Sequence, residues 1–305
     1  MRSPTGNAMR VALVGWGRMG GAMGPRLIEA GHHVVAFDTS DAALRAARSA
    51  GAKLASNAAE AVRDCEAVIT MLPTPAVVNE VARAQDGVLS GLHSDSLWVE
   101  MSSSHPSLTS ELSDRAAERG AALLDAPVSG GVKGASEGQL TIIVGGREEL
   151  LGRARPLFEL LGERVIHVGA RPGDGDLAKT INNMLSAINL TAAAEGLALA
   201  RAGGLDLHHL IEVLNSSTGA SNATQVKIPN YVLTQRFDAG FTIGNYLKDM
   251  RIALDVGWSE EVAVEVLSAV HVLWTAAVAH GHADEDHTMM VPFVARRSGR
   301  DLGDP

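Results

Sequence analysis

A short apolar run, Arg10-Val11-Ala12-Leu13-Val14, leads directly into Gly15-Trp16-Gly17-Arg18-Met19-Gly20, after which Ala22, Met23, Leu27 and Ile28 keep helical spacing. Strand, glycine turn and helix in that order leave few folds open. Gly15 permits the tight turn, Gly17 lets the backbone approach a pyrophosphate, and Gly20 allows helix and strand to pack closely. Amides at the helix start, with the helix dipole, favour an anion there. A second apolar run, His33 to Phe37, ends in Asp38, 18 residues beyond Gly20. A carboxylate at that place accepts hydrogen bonds from the adenosine ribose hydroxyls and repels a 2′-phosphate. The expected cofactor is therefore NAD rather than NADP, held by Gly15, Trp16, Gly17, Arg18, Met19, Gly20 and Asp38. Glycines and an aspartate that merely make turns are the competing reading, weakened by strand, helix and acidic residue all being in place.

The alternation continues. Helical spacing is read at Asp41 to Ala50 and Ala58 to Arg63, and strands at Ala67 to Leu72, Ser96 to Glu100, Ala122 to Asp125, Leu140 to Gly146 and Arg164 to Val168. Pro73-Thr74-Pro75 stops the strand before it. Strands alternating with helices imply a parallel, doubly wound α/β sheet, whose ligand crevice lies at the carboxyl ends of the strands. Leu72-Pro73 and Ser102-Ser103 then border the cofactor, although loop hydrogen bonding and helix capping account for the serines equally well. Ser129-Gly130-Gly131 leaves backbone amides exposed as a small anion nest. On that segment alone a glycine turn without ligand is the stronger reading.

Near residue 170 the pattern changes. Leu177 to Ala202 reads as one long helix entered through Gly173 and Gly175, and further helices are read at 207–216, 248–256 and 260–280. Two domains are expected: residues 9–170 binding the dinucleotide, and an all-helical domain, 171–305, joined to it by the long helix. Lys179 and Asn183 lie four residues apart on one face of that helix. By itself such a lysine is more often one that snorkels into solvent.

With 305 residues the chain can bury two cores, and a formal net charge of -9 with no sizeable basic cluster argues against nucleic-acid binding. The lone Cys65 can form no internal disulfide. Met1 to Met9 is short and polar, and no apolar run approaches the roughly 20 residues of a membrane span, so a cytoplasmic protein without membrane association is expected. His280, His282 and His287, beside Asp284, Glu285 and Asp286, read as a solvated loop rather than a metal site. No metal is expected.

Four segments in collinear order carry a further pattern: Val14 to Gly20, Asp125-Ala126-Pro127-Val128-Ser129-Gly130-Gly131, Gly173-Asp174-Gly175 followed by Lys179 and Asn183, and Tyr246-Leu247-Lys248-Asp249. Together they resemble the β-hydroxyacid dehydrogenase family, which includes 3-hydroxyisobutyrate dehydrogenase and tartronate semialdehyde reductase. The resemblance implies an NAD-dependent oxidoreductase interconverting a small β-hydroxy acid and its semialdehyde. It assigns general acid/base chemistry to Lys179 and substrate binding to Ser129, Gly130, Gly131 and Asn183. It also makes Ser103 and Lys248 cofactor contacts, with Asp249 as the acidic neighbour. A lysine moves a proton near neutral pH only where desolvation or a nearby cation disfavours its charged form. By the same analogy the protein is a homodimer or homotetramer. Gln139, Ser104-His105 and Asn245-Tyr246 depart from the family's usual residues and leave the substrate's identity open. An imine reductase and a catalytically silent dinucleotide-binding module are the alternatives, and Lys179 argues against both.

Overall fold

The computed structural model describes residues 8–301. It divides into two compact units, one ending at Lys179 and the other beginning at Thr180. Much of the expectation drawn from Met1 to Met9 therefore falls outside the described residues, as does the end of the 171–305 span.

The first unit is built on nine strands: β1 (Arg10–Val14), β2 (His33–Phe37), β3 (Lys53–Leu54), β4 (Ala67–Thr70), β5 (Leu97–Glu100), β6 (Ala122–Asp125), β7 (Val128–Ser129), β8 (Leu140–Gly145) and β9 (Gly162–Gly169). They form one sheet in the order β3-β2-β1-β4-β5-β6-β8-β7, with β9 also on β8. Successive side chains of a strand point to opposite faces, so a strand buried on both sides must be apolar at every position. In β1, Val11 and Leu13 enter one core with Met23, Leu27, Leu157 and Phe158, whereas Ala12 and Val14 enter another with Ala61, Val78, Leu112 and Trp98. Helices therefore cover both faces, as doubly wound connectivity requires.

From β1 through β6 every named pairing is parallel. The sheet is the parallel, doubly wound one expected from the sequence, with an antiparallel exception beyond that point, where β8 runs antiparallel to β6 and β7. The reason is the connector. A parallel return needs a crossover that runs back along the whole sheet, and the helix Gly131–Glu137 has only seven residues, roughly 10 Å at 1.5 Å per residue. The next connection carries the helix Leu151–Leu161 and restores parallel pairing between β8 and β9. The prolines after β4 also open a helix, Pro75–Arg83, with Pro75 in its first turn and the Thr74 hydroxyl accepting from the Val77 N–H.

The second unit is helical and has its own core, including Leu190, Leu197, Ile228, Tyr246, Leu247, Met250 and Trp274. Its helices are Leu207–Asn215, Ile243–Ser259, Glu265–Ala279 and Met290–Arg297, together with most of the long helix Asp174–Ala202. The helix expected at 248–256 is almost twice as long, starting where Thr242 caps the Asn245 N–H. The one expected at 260–280 starts later, at Glu265, because Glu261 takes a left-handed conformation with φ 55°. Ala223–Val232, which the sequence did not mark, is a π-helix with Pro229 inside it.

Candidate active site

The glycine turn has the geometry a dinucleotide needs. Gly15 has φ +100°, and a Cβ there would lie 2.3 Å from the Met71 carbonyl oxygen. At Gly20 it would lie 1.9 Å from the Gly15 carbonyl, so this glycine closes the turn on itself rather than making room for the strand. Around Gly17 nothing lies within 4 Å of that position, and backbone stays open to a ligand. The helix Gly20–Glu29 has no side-chain cap and no acidic residue in its first turn, so its N-terminus is left for an anion. Asp38 accepts the Trp16 N–H at 2.7 Å and the Ser40 N–H at 2.8 Å, tying the end of β2 to the glycine turn. Trp16 itself is buried against Gly24, where a Cβ would meet the indole at 2.1 Å. Its side chain is core, while Gly17 and Arg18 are exposed.

Leu72, Pro73 and Ser103 lie just beyond the carboxyl ends of β4 and β5, the next two strands after β1 in the sheet. Ser102 accepts the Leu72 N–H at 2.8 Å, and the Ser104 N–H donates to Asp176 at 3.1 Å. Both serines are buried, Ser102 bonded through its hydroxyl and Ser104 through its N–H with its hydroxyl unpartnered, and half-buried Ser103 lies between them. At Gly130 and Gly131 φ is +128° and +63°, a pair of conformations suited to glycine, and both residues are exposed beyond β7.

The start of the long helix is clamped by carboxylates that sequence reasoning passed over. Asp125, at the end of β6, accepts the N–H groups of Gly173 and Asp176, both at 2.8 Å. Asp176 accepts the Thr109 hydroxyl at 2.6 Å. A Cβ on Gly175 would meet the Ile143 carbonyl at 2.7 Å and Asp125 at 2.8 Å, which explains the Gly173-Asp174-Gly175 sequence: only glycine lets the helix enter this close to the sheet. Burial, reinforced by the Asp125 charge, pushes the Asp176 carboxyl well above its usual range, and burial pushes Glu100 up to about 7. Glu100 accepts from Thr70 and from the Ser102 N–H, while its other carboxyl oxygen is buried without a partner. One turn into this clamped helix lies Lys179, 8% exposed.

Asn183 follows four residues later, and its amide donates to Asp249 at 2.6 Å. Asp249 also pairs with Lys248 at 2.9 Å. Asn183, Asp249 and Lys248 are thus brought together within the second unit. Further along the same helix face, Ser186 lies 2.9 Å from the Tyr246 hydroxyl, and the Lys227 ammonium donates to both, at 2.7 and 3.0 Å. Lys227 gave no sequence signal, because its partners are distant in the chain, and Tyr246 was marked only as part of the Tyr246-Leu247-Lys248-Asp249 segment. The expectation of a solvated histidine loop is wrong for His287, which is 3% exposed and bonds Phe241 through Nδ1. Burial and the Lys227 charge hold its pKa down to about 4. Among the described residues no group of three or more His, Cys, Asp or Glu is placed to hold a metal ion.

Comparison with known proteins decides the family. Residues 10–169 match the NAD-binding domain of 6-phosphogluconate dehydrogenase, and residues 173–294 match the NAD-binding region of NADP-dependent 3-hydroxyisobutyrate dehydrogenase. The chain belongs to the β-hydroxyacid dehydrogenase family. It is an NAD-binding oxidoreductase of that family. An NAD-dependent L-serine dehydrogenase of Pseudomonas aeruginosa is 34% identical, covering 92% of this chain and 96% of its own. The 2-(hydroxymethyl)glutarate dehydrogenase of Eubacterium barkeri is 32% identical, covering 96% and 97%. Among solved structures, 3-hydroxyisobutyrate dehydrogenase of Mycobacterium tuberculosis with L-serine superposes with a TM-score of 0.87 at 33% identity, over 93% of this chain and 98% of that one. No helix among the described residues of this family member is long and apolar enough to cross a membrane.

Proposed function

We propose that this enzyme oxidises a small β-hydroxy acid to the corresponding semialdehyde, and reduces it in reverse, with Lys179 as the group that moves the proton. The observation that carries the reading is Lys179 itself, a buried lysine one turn into a helix whose start is fixed by Asp125. When bound, NAD supplies the hydride acceptor. Lys179 Nζ takes the hydroxyl proton as the carbinol C–H bond breaks, and returns it to the oxygen in the reducing direction. Asn183 has two amide hydrogens; one serves Asp249 and the other is offered to the substrate oxygen. Ser129, Gly130 and Gly131 hold the substrate carboxylate, which fixes the carbinol carbon for transfer.

In the turn Gly15, Trp16, Gly17, Arg18, Met19 and Gly20, the first two N–H groups are committed to Phe37 and Asp38, and the backbone from Gly17 onward takes the pyrophosphate, while Asp38 takes the adenosine ribose. Leu72, Pro73, Ser103 and Lys248 complete the cofactor contacts. L-serine, 3-hydroxyisobutyrate and 2-(hydroxymethyl)glutarate, the acids of the similar enzymes, are the substrate class. The assembly is a homodimer or homotetramer working in the cytoplasm. In support of assembly, the second unit exposes apolar side chains that one copy leaves uncovered, Trp258 at 88% and Leu199 at 75% among them. Within this reading the catalytic domains are residues 9–170 and 171–305.

Absorbance of reduced nicotinamide, followed while those acids are offered with NAD and NADP to wild type and Lys179→Ala, tests the proposal. Turnover with NAD that is lost in the variant, while NAD binding persists, supports it. Silence of both proteins toward every acid, or equal turnover by both, removes it.

A further inference from the structure

Lys227 is 9% exposed, yet no carboxylate of the described residues lies within ion-pairing distance of its ammonium. Its partners are two neutral hydroxyls, Ser186 at 2.7 Å and Tyr246 at 3.0 Å, with the Tyr246 ring centroid at 5.2 Å. Hydroxyls do not offset the cost of taking a charge out of water as a counter-ion does. The chain is not short of counter-ions, having 35 acidic residues against 26 basic ones. Lys248, less buried, has one in Asp249. The ammonium has three protons, and two hydroxyl acceptors leave one free for a ligand.

The surroundings are built to hold this charge still. Tyr246 is gripped by Phe241, Trp274 and His287, with ring centroids 4.8, 5.3 and 4.8 Å away. Lys227 itself rides on the π-helix Ala223–Val232, a distortion of helical geometry frequent at functional sites. Ser186 is three residues beyond Asn183 and seven beyond Lys179, so all three share one helix face.

Resting on the function proposed above, we infer that Lys227 is a specificity-determining residue, which receives a second acidic group at the far end of the substrate. A β-hydroxy acid with a second carboxylate carries such a group. The class of substrate is thus dicarboxylic, and Lys227, held by Ser186 and Tyr246, distinguishes it from monoacids.

The test compares kcat/KM for 2-(hydroxymethyl)glutarate and for its distal monoamide, with L-serine as a monoacid, in wild type, Lys227→Gln and Lys227→Arg. Wild type should prefer the diacid to the amide by roughly tenfold to a hundredfold, as a charge-assisted bond provides. That ratio should collapse toward one in Lys227→Gln and return in Lys227→Arg. A wild type indifferent to the distal charge, or a preference that survives in Lys227→Gln, overturns the inference. Turnover of L-serine alone with no preference for the diacid sinks the Lys227 assignment and leaves the dehydrogenase reading standing. If no acid is turned over, calorimetric titration with glutarate still reads the residue. Binding weakened at least tenfold in Lys227→Gln supports it, whereas equal or absent binding refutes it. Should Lys227→Gln fail to fold, the wild-type comparison of acid and amide decides.

Discussion

Two glycines of the long helix Asp174–Ala202 should respond in opposite directions to the same substitution. At Gly175 an added methyl group would meet the Ile143 carbonyl oxygen at 2.7 Å, Asp125 Oδ2 at 2.8 Å and the Gly145 nitrogen at 2.9 Å. None of these is the end of a flexible chain. The helix start must therefore back away from β8, stretching the bonds that Asp125 accepts from Gly173 and Asp176. Overpacking of this kind costs about 1–3 kcal/mol, and weakening a bond to a charged acceptor adds a loss of similar size. The helix propensity gained by replacing glycine with alanine, at most about 1 kcal/mol, does not offset both. Gly175→Ala should lose about 1–5 kcal/mol.

Gly196 is exposed, and nothing lies within 4 Å of its added methyl. Gly196→Ala should accordingly gain about 0.5–1 kcal/mol. Urea unfolding of the three proteins, with the midpoint and slope fitted separately, measures both changes. Lys179 lies one turn beyond Gly175, so Gly175→Ala should also lower kcat, whereas Gly196→Ala should not. A Gly175→Ala protein as stable as wild type would refute the argument that close docking, and not loop flexibility, requires glycine there.

Further expectations follow from single groups. Glu100 titrates near 7 when folded against 4.5 when free, so its contribution is complete below about 4.5 and is lost as pH rises to 7, by about 3 kcal/mol. His287 runs the other way. Its folded value near 4 lies below the free 6.5, so stability falls by about 3 kcal/mol as pH drops through that window. The two trends oppose each other in wild type, and because Asp176 is raised in the same direction as Glu100, Glu100→Gln should make stability fall less steeply with pH between 4.5 and 7 in thermal unfolding; an unchanged pH profile would refute the Glu100 assignment. Lys227→Gln removes the cation that helps hold His287 neutral, so the His287 ring protons should titrate at higher pH in NMR spectra, and no shift would separate the two residues. Asp38→Asn keeps an acceptor for the Trp16 N–H while removing the charge; it should raise kcat/KM for NADP relative to NAD by about tenfold.

The nucleotide-binding half was legible because its information is local. In β1, β2 and β6 the apolar runs begin and end where the strands do, and the glycine turn needs only its own residues to be recognised. The helical half was less so. In the helix Glu265–Ala279 the apolar residues spread around much of the circumference, Val266 and Val272 being exposed, so periodicity gave no sharp boundary. A π-helix has no sequence period that would mark Ala223–Val232 in advance.

The same contrast holds at the site. Lys179 and Asn183 share a helix face by spacing alone, but that spacing favoured a snorkelling lysine, and only the family resemblance assigned them roles. Asp176 meets Ser104 across 72 positions of the chain, and Lys227 meets Ser186 across 41, so neither network exists until the chain has folded. His287 looked solvated because its neighbours are polar. Its burial comes instead from packing against Tyr246, 41 positions earlier.

The central claim is that Lys179 moves the proton, and chemical rescue tests it most directly. Lys179→Ala should bind NAD, should fail to form reduced nicotinamide from the wild-type substrate, and should recover the reaction in proportion to added methylamine. A variant that binds NAD and substrate but is not rescued by any small primary amine, or one that needs no rescue, would contradict the account.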